Sequence, residues 1–390
     1  MDFNPKAYDI CQKLKEEGYI AYFAGGWVRD WLLGHPSADV DIATDAPMNK
    51  VLELFPRTVQ VGIAFGVVIV RVEDHQFEIA TFRRDVSYSD GRKPDKVEPS
   101  TPEEDAQRRD FTINGIFYDP IEDKIYDYIG GEADLKKGII RAIGDPFERF
   151  VEDRLRMIRA VRFSARFGFP IESETEEAIL KSAPTLFPAV AKERIHQELI
   201  KMSEGPNFEK ALIDLHRLEL LKEIFPSLKN LHLNDLKKIA HRLPRHIPLV
   251  AKLRELFVGF PADKEMEEIA TLKISAKERQ LIEFLQSEEG RLKNLNERTP
   301  SAWARFYAHP FSHIAVALYG DEKMHAKRKE SLKSHISRLE TKKPLVTSKH
   351  LIEKGIKPGL KMGELLQEAE TIAIDYDLSD PEAVLKLMEL

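Results

Sequence analysis

Two aspartates one residue apart, Asp39 and Asp41 in ADVDIA (38–43), are the first residues here whose type and spacing imply chemistry. Polar and apolar positions alternate there with the period of a β-strand, which puts both carboxylates on one face and Val40 and Ile42 on the other. Like charges on one strand face repel unless a cation lies between them. Hard oxygen ligands suit Mg²⁺, which keeps waters and takes substrate phosphates alongside. Upstream, in FAGGWVRDWLLG (23–34), a strand-like run ends at Gly25 and Gly26, where a backbone without Cβ atoms can approach a ligand closely. A helix-like segment, Trp27 to Leu33, follows, and its first N–H groups beside Arg29 form an anion site for which phosphate is the natural guess. Each feature has a plainer reading, a turn for the glycines and a solvated edge for the aspartates. Their succession as strand, turn, helix and strand favours the joint one.

Further candidates follow along the chain. Phe77 and Ile79 alternate with Glu78 in the strand-like run 76–82, so Glu78 is a candidate third carboxylate on the same sheet face, against an ordinary exposed strand glutamate. In RRDFTIN (108–114), Arg108 and Arg109 supply planar donors for triphosphate or RNA backbone, and Asp110 or Asn114 can bond a ribose hydroxyl. Alone, this stretch reads as a helix start capped by Asp110. In FERFVEDRLRMIRAVRFSARF (147–167), Arg156, Arg159, Arg162 and Arg166 recur every three or four residues and form a stripe, with Asp153 one turn before Arg156. An ionised Asp only accepts hydrogen bonds and an Arg only donates them. Cytosine and adenine both offer an exocyclic amino donor beside a ring-nitrogen acceptor, so an Asp/Arg pair matches C and A and mismatches G and U. The plainer reading is an intrahelical ion pair.

A chain of 390 residues suffices for two to four domains, and 43% hydrophobic with 32% charged residues is ordinary for a soluble protein. A single cysteine, Cys11, excludes an internal disulfide and a cysteine-based zinc site and fits a reducing cytoplasm. The first residues lack an apolar signal core and the longest apolar run, 61–70, is too short for a bilayer, so a cytoplasmic protein without membrane association is expected. The net charge of −6 conceals an asymmetry: residues 229–350 hold 24 Lys and Arg against 15 Asp and Glu, a local +9 that leaves −15 elsewhere. That distribution suits a polyanion along one part of the molecule, or a solvated helical surface. Mixed strands and helices are expected up to about residue 140 and helices alone from Pro146. Between them Arg83 to Gln107 reads as a long loop of the functional or disordered kind, whose Tyr88, Asp90, Arg92 and Lys93 could reach a substrate. Residues 126–138 read as turns.

Taken together, GGWVRD (25–30), DVD (39–41), RRDFTIN (108–114) and GDPFERFVEDRLRMIRAVRF (144–163) resemble the class II tRNA nucleotidyltransferases, which include CCA-adding enzymes, A-adding enzymes and bacterial poly(A) polymerases. ERIHQEL (193–199) and LIEKGIKPGLKMGELL (351–366) are similar to further family segments. The resemblance implies an α+β chain: a small nucleotidyltransferase head over 1–140 with a mixed β-sheet and helices, then an all-α neck (141–200), body (201–310) and tail (311–390). It implies that Asp39 and Asp41 bind two Mg²⁺ ions; Glu78 is a candidate third ligand from its strand position alone. Gly25, Gly26 and Arg29 would cradle the triphosphate, and Asp110 would contact ribose. Asp153 and Arg156, within an arginine stripe that includes Arg159 and Arg162, would select C and A. The loop resembles one found in full CCA-adding and A-adding enzymes, so CCA addition to the tRNA 3′ end from CTP and ATP is expected, with no obligatory protein partner. A-adding and poly(A) activity are the alternatives, and an inactive RNA-binding protein is the reading from another class.

Overall fold

The computed structural model describes residues 3–35, 39–62, 66–86, 96–293 and 298–390. Two compact units emerge, Met1–His241 with Thr271–Lys273, and Arg242–Ala270 with Ile274–Leu390.

The first unit opens with α1 (Pro5–Glu16), capped by the Asn4 side chain on the N–H of Lys6, and then turns through Gly18 at φ +87° into β1 (Ala21–Ala24). Next come α2 (Gly25–Leu32), β2 (Asp41–Thr44), α3 (Met48–Leu54), β3 (Thr58–Gly62), β4 (Val67–Val72) and β5 (His75–Thr81). The segment expected to be a loop contains instead β6 (Arg83–Asp85), β7 (Val97–Pro99) and α4 (Pro102–Gln107). These elements lack apolar periodicity because main-chain pairing and polar caps build them. Arg84 faces Glu98 across β6 and β7 as an ion pair, and α4 starts on a Thr101/Glu104 capping box with Pro102 at its first turn. Tyr88, Asp90, Arg92 and Lys93 lie outside the described residues.

After a short turn at Thr112–Asn114 follow β8 (Phe117–Asp119), β9 (Lys124–Tyr126) and α5 (Gly131–Lys137). α5 was hidden in a stretch that reads as turns because glycines bound it on both sides. Gly130 and Gly138 lie at φ +79° and +67°, a conformation that costs other residues more. Seven strands form one sheet in the order β3-β4-β5-β2-β1-β8-β9, in which only β2 and β5 run parallel. The sheet is closed by α2, whose Trp27 packs edge-on to Phe23 and whose Trp31 lies against Tyr118. On the other side Tyr22, Ala43, Phe82, Ala106 and Phe117 form a second apolar layer.

No strand follows β9 among the described residues, as the helical periodicity predicts. The arginine-rich segment is two helices rather than one, α6 (Pro146–Glu152) and α7 (Leu155–Phe167), because Asp153 is extended at φ −147° and its carboxylate bonds the N–H of Leu155 at 3.0 Å. Ile158 and Val161 of α7 are buried in the core, while the Arg156, Arg159, Arg162 and Arg166 stripe lines a cleft together with Phe163. Then come α8 (Ser173–Ser182), α9 (Leu186–Ala189) and α10 (Lys192–Glu204), which lies against α7.

The second unit is helical throughout its described residues. Helices Ala276–Lys293 and Pro300–Ala308 border a cavity of about 730 Å³, into which Phe284, His309, Arg291 and Arg305 face. His309 stacks on Phe284 with ring centroids 3.9 Å apart and planes 5° from parallel.

Candidate active site

A cleft of about 570 Å³ in the first unit is lined by the start of α2, by β2 and the middle of β5, by the RRD segment after α4, and by the arginine stripe of α7. Its floor carries Asp41 and Glu78, register partners on the parallel pair β2 and β5, so both side chains leave the sheet on one face. Asp39 lies just outside β2, which begins at Asp41, although exposure alternates through it, with Val40 and Ile42 buried and both aspartates exposed. Its charge is nevertheless felt at Asp41. The Asp41 carboxyl is pushed up to about 6, chiefly by loss of water around it, then by Glu78 and Asp39, with Arg109 opposing.

That concentration of hard anionic oxygen fits a divalent cation of the Mg²⁺ kind. Among the described residues no three His, Cys, Asp or Glu side chains are grouped as a metal cage.

Gly25, at φ +64°, makes the turn from β1 into α2. A Cβ there would lie 3.2 Å from Arg109 Nη1 and 3.7 Å from Asp41 Oδ2, so the glycine lets an arginine and the floor carboxylate meet over the backbone. Arg29 differs from a solvent-facing phosphate ligand. It is 3% exposed, its guanidinium lies over the rings of Phe163 and Phe167 at 5.2 and 4.8 Å, and it donates to Asp30 and to Asn114 Oδ1. Burial lowers its pKa, with Asp30 opposing. Gly26 stands beside it.

Asn114 in turn donates to Asp110 Oδ1 at 2.9 Å, and Asp110 Oδ2 accepts from Nε and Nη2 of Arg159, the former at 2.8 Å. Burial alone would raise the Asp110 carboxyl, but Arg159 and the hydrogen bonds from Asn114 and Arg159 hold it at about 2. Asp110 is thus an ionised link between RRDFTIN and α7, and not the cap of a helix. Arg162 pairs with Glu198 of α10, and Arg166 donates to Asp30 at 2.8 Å.

Asp153 and Arg156 both line the cleft, but they do not pair with each other. Asp153 accepts from Arg194 of α10, Nη1 to Oδ1 at 3.2 Å and Nη2 to Oδ2 at 2.8 Å. Arg156 donates from Nη1 to Glu152 and to the carbonyl of Arg149, and from Nη2 to the carbonyl of Arg108 at 3.1 Å. The plainer reading, an intrahelical Asp/Arg pair, therefore fails. Each group has its own anchor and keeps bonding capacity toward the cleft: a carboxylate offers about four acceptor sites and a guanidinium five donors.

The cleft thus gathers Gly25, Gly26, Arg29, Asp41, Glu78, Arg108, Arg109, Asp110, Asn114, Asp153, Arg156, Arg159 and Arg162. Residues that sequence reasoning did not assign are Arg83 and Asp85 of β6 at the rim, Asp105 beneath Arg108 and Arg109, and the anchors Glu152, Arg194 and Glu198. Arg194 and Glu198 lie in ERIHQEL, whose similarity to a family segment marked the stretch without stating a partner. Eight arginines against five carboxylates leave the lining positive, suited to a polyphosphate, with the acidic floor at one end.

Residues 21–141 match the family described as poly A polymerase head domain, and residues 168–231 the family described as probable RNA and SrmB-binding site of polymerase A. A CCA-adding enzyme of Lactobacillus helveticus is 33% identical over 98% of this chain and 96% of its own. That of Ligilactobacillus salivarius is 46% identical over 56% of this chain, an alignment that spans only 54% of the relative's length. A crystal structure of the Bacillus stearothermophilus CCA-adding enzyme in complex with CTP superimposes with a TM-score of 0.75 and 30% identity, over 99% of this chain and 96% of that one.

Proposed function

Because the chain belongs to the class II tRNA nucleotidyltransferases, the family of the CCA-adding enzymes, we propose that it adds C, C and A to the 3′ end of tRNA from CTP and ATP without a nucleic-acid template. One observation carries the reading: the acidic floor at Asp41 and Glu78 and the separately anchored Asp153 and Arg156 open into one positive cleft. Paired carboxylates supply what phosphoryl transfer needs, and an acceptor beside a donor supplies what recognition of C and A needs.

In this reading the triphosphate lies along Arg108 and Arg109, and the base meets Asp153 and Arg156. Asp110 and Asn114 face the ribose, although Asp110 also carries the link to Arg159. Asp39 and Asp41, with Glu78 beside Asp41, would hold two Mg²⁺ ions. Bound there, the ions supply charge neutralisation at the attacking and leaving oxygens. The 3′-hydroxyl of the RNA attacks the α-phosphate and pyrophosphate leaves, a displacement that requires no protein nucleophile. Arginines fixed before the nucleotide arrives give electrostatic stabilisation without reorganising during the reaction. In this proposal residues 1–140 form the catalytic head and 141–200 the selecting neck, while the body (201–310) and tail (311–390) hold the RNA. Support for the last point comes from the basic bias of 229–350 and from the cavity where a His309/Phe284 stack lies near Arg291 and Arg305, an arrangement suited to base and phosphate. Among the described residues no helix is long and apolar enough to cross a membrane.

The deciding assay offers tRNAs ending at the discriminator base, at C and at CC, each with single labelled nucleotides and Mg²⁺. Addition of C to the first two and of A to the third is expected. Failure to add C to the first identifies an A-adding enzyme, and long A tracts on unrelated RNA identify a poly(A) polymerase. RNA binding without any incorporation identifies an inactive RNA-binding protein.

A further inference from the structure

Beneath the two arginines of RRDFTIN lies Asp105, on the last turn of α4 and 1% exposed. Its Oδ1 accepts from Arg108 Nε at 2.9 Å and Nη2 at 2.7 Å, and from the N–H of Arg83 at 3.2 Å. Its Oδ2 accepts from Arg109 Nε at 3.2 Å and Nη2 at 2.9 Å. Both guanidinium groups therefore turn the same edge, Nε with Nη2, down onto one carboxylate. Arg109 then has Nη1 directed at the carbonyl of Asn114, 3.2 Å away, beside the space over Gly25.

We infer that Asp105 is a positioning residue for the phosphate-binding arginines, presenting Arg108 and Arg109 together to the triphosphate of the incoming nucleotide. A carboxylate placed only to stabilise α4 needs one partner, and a surface arginine would serve. Here one buried negative charge holds two cleft-lining positive charges, so the cluster keeps a net positive charge toward the cleft while both side chains are fixed in orientation. Two arginines already held in place give up little freedom when phosphate binds. The same carboxylate reaches the main chain of β6 through Arg83, whose carbonyl accepts from Arg108 Nε at 3.0 Å, so the first strand of the small hairpin is keyed to the arginines as well. The inference rests on the nucleotidyltransferase reading of the cleft and adds to it a residue that touches neither substrate nor metal.

The experiment compares the full chain with Asp105→Asn and Asp105→Glu by competition binding of CTP, cytidine and inorganic tripolyphosphate, alongside incorporation kinetics. Asp105→Asn is expected to weaken CTP and tripolyphosphate about tenfold while cytidine affinity stays within about twofold, the loss expected when one or two oriented charge-assisted bonds go. KM for CTP rises in step, with kcat changed less than KM, and Asp105→Glu, which keeps the charge, recovers part of the affinity. Unchanged tripolyphosphate binding overturns the inference. So does an equal loss for cytidine and CTP, which marks a general collapse of the cleft. If Asp105→Asn does not fold, the same comparison is made on Asp105→Glu, which must then weaken triphosphate selectively. Binding of tripolyphosphate is read without turnover, so a wild-type chain that incorporates no nucleotide refutes the catalytic reading separately.

Discussion

Asp153 gives both its carboxylate oxygens to Arg194, at 3.2 and 2.8 Å, while Arg156, three residues on, turns to Glu152 and to the carbonyl of Arg108. The acceptor and the donor proposed to read a base are thus held by different elements, the first by α10 and the second by α6 and the RRD segment.

Removing the anchor of the acceptor should therefore loosen base choice before it abolishes transfer. Arg194→Ala is expected to lower discrimination of CTP and ATP against UTP and GTP about tenfold, the scale of one lost charge-assisted contact. Misincorporation into tRNA ending at C, with each nucleotide alone, measures it. Unchanged selectivity would show that Asp153 needs no support from α10.

The floor carboxylates make a prediction with two signs. Asp41→Asn should reduce incorporation about a hundredfold or more while leaving tRNA affinity intact. In divalent-free buffer the same variant should melt at a higher temperature than the wild type. The sign follows from linkage: a carboxyl whose folded pKa lies near 6, above its ordinary 3.8, disfavours the folded state increasingly as pH rises through that range, and an amide does not. The stabilisation should be greatest above pH 6 and vanish below pH 4. A variant destabilised at pH 7 in chelator would contradict the account of Asp41.

At Asp110 the sign reverses. Its folded value near 2 lies below the ordinary 3.8, so it contributes stability that is fully present above about pH 4 and is lost as pH falls towards 2. Denaturant unfolding between pH 2 and 5 should show that loss in the wild type, about 2 kcal/mol in size, and a flatter profile in Asp110→Asn. An unaltered acid limb in the variant would mean that the Arg159 pair does not carry the effect.

The second unit can be tested through salt. Affinity for tRNA should fall with rising ionic strength, and Arg291→Ala or Arg305→Ala should each weaken binding and reduce the slope of log K against log salt by about 1. Filter binding across a salt series reads this directly. A slope identical to the wild type would remove this cavity from the RNA surface without touching the cleft chemistry.

Much of this arrangement was legible in the residues themselves, for identifiable reasons. Period-two alternation located β2, even though the strand starts two residues later than Asp39, and Phe77 and Ile79 located β5 with Glu78 on the face shared with Asp41. Arginines every three or four residues located the stripe on α7. What stayed hidden depends on chain-distant partners. Arg194 lies 41 residues from Asp153, and Arg166 lies 136 residues from Asp30. No local periodicity encodes such pairs. The β6–β7 hairpin and α4 escaped because backbone pairing and a capping box specify them with hardly an apolar side chain, and α5 because its flanking glycines resemble turn punctuation.

Asp41 and Glu78 occupy matched rungs of two hydrogen-bonded parallel strands, so their spacing is a property of the ladder, whose strands lie about 4.8 Å apart whatever side chains they bear. Rotamers can move the two carboxylates, but their roots stay put; separating those would mean unzipping β2 from β5 in mid-sheet. The pleated backbone therefore works as a ruler, setting the distance between the points from which the two acidic side chains spring.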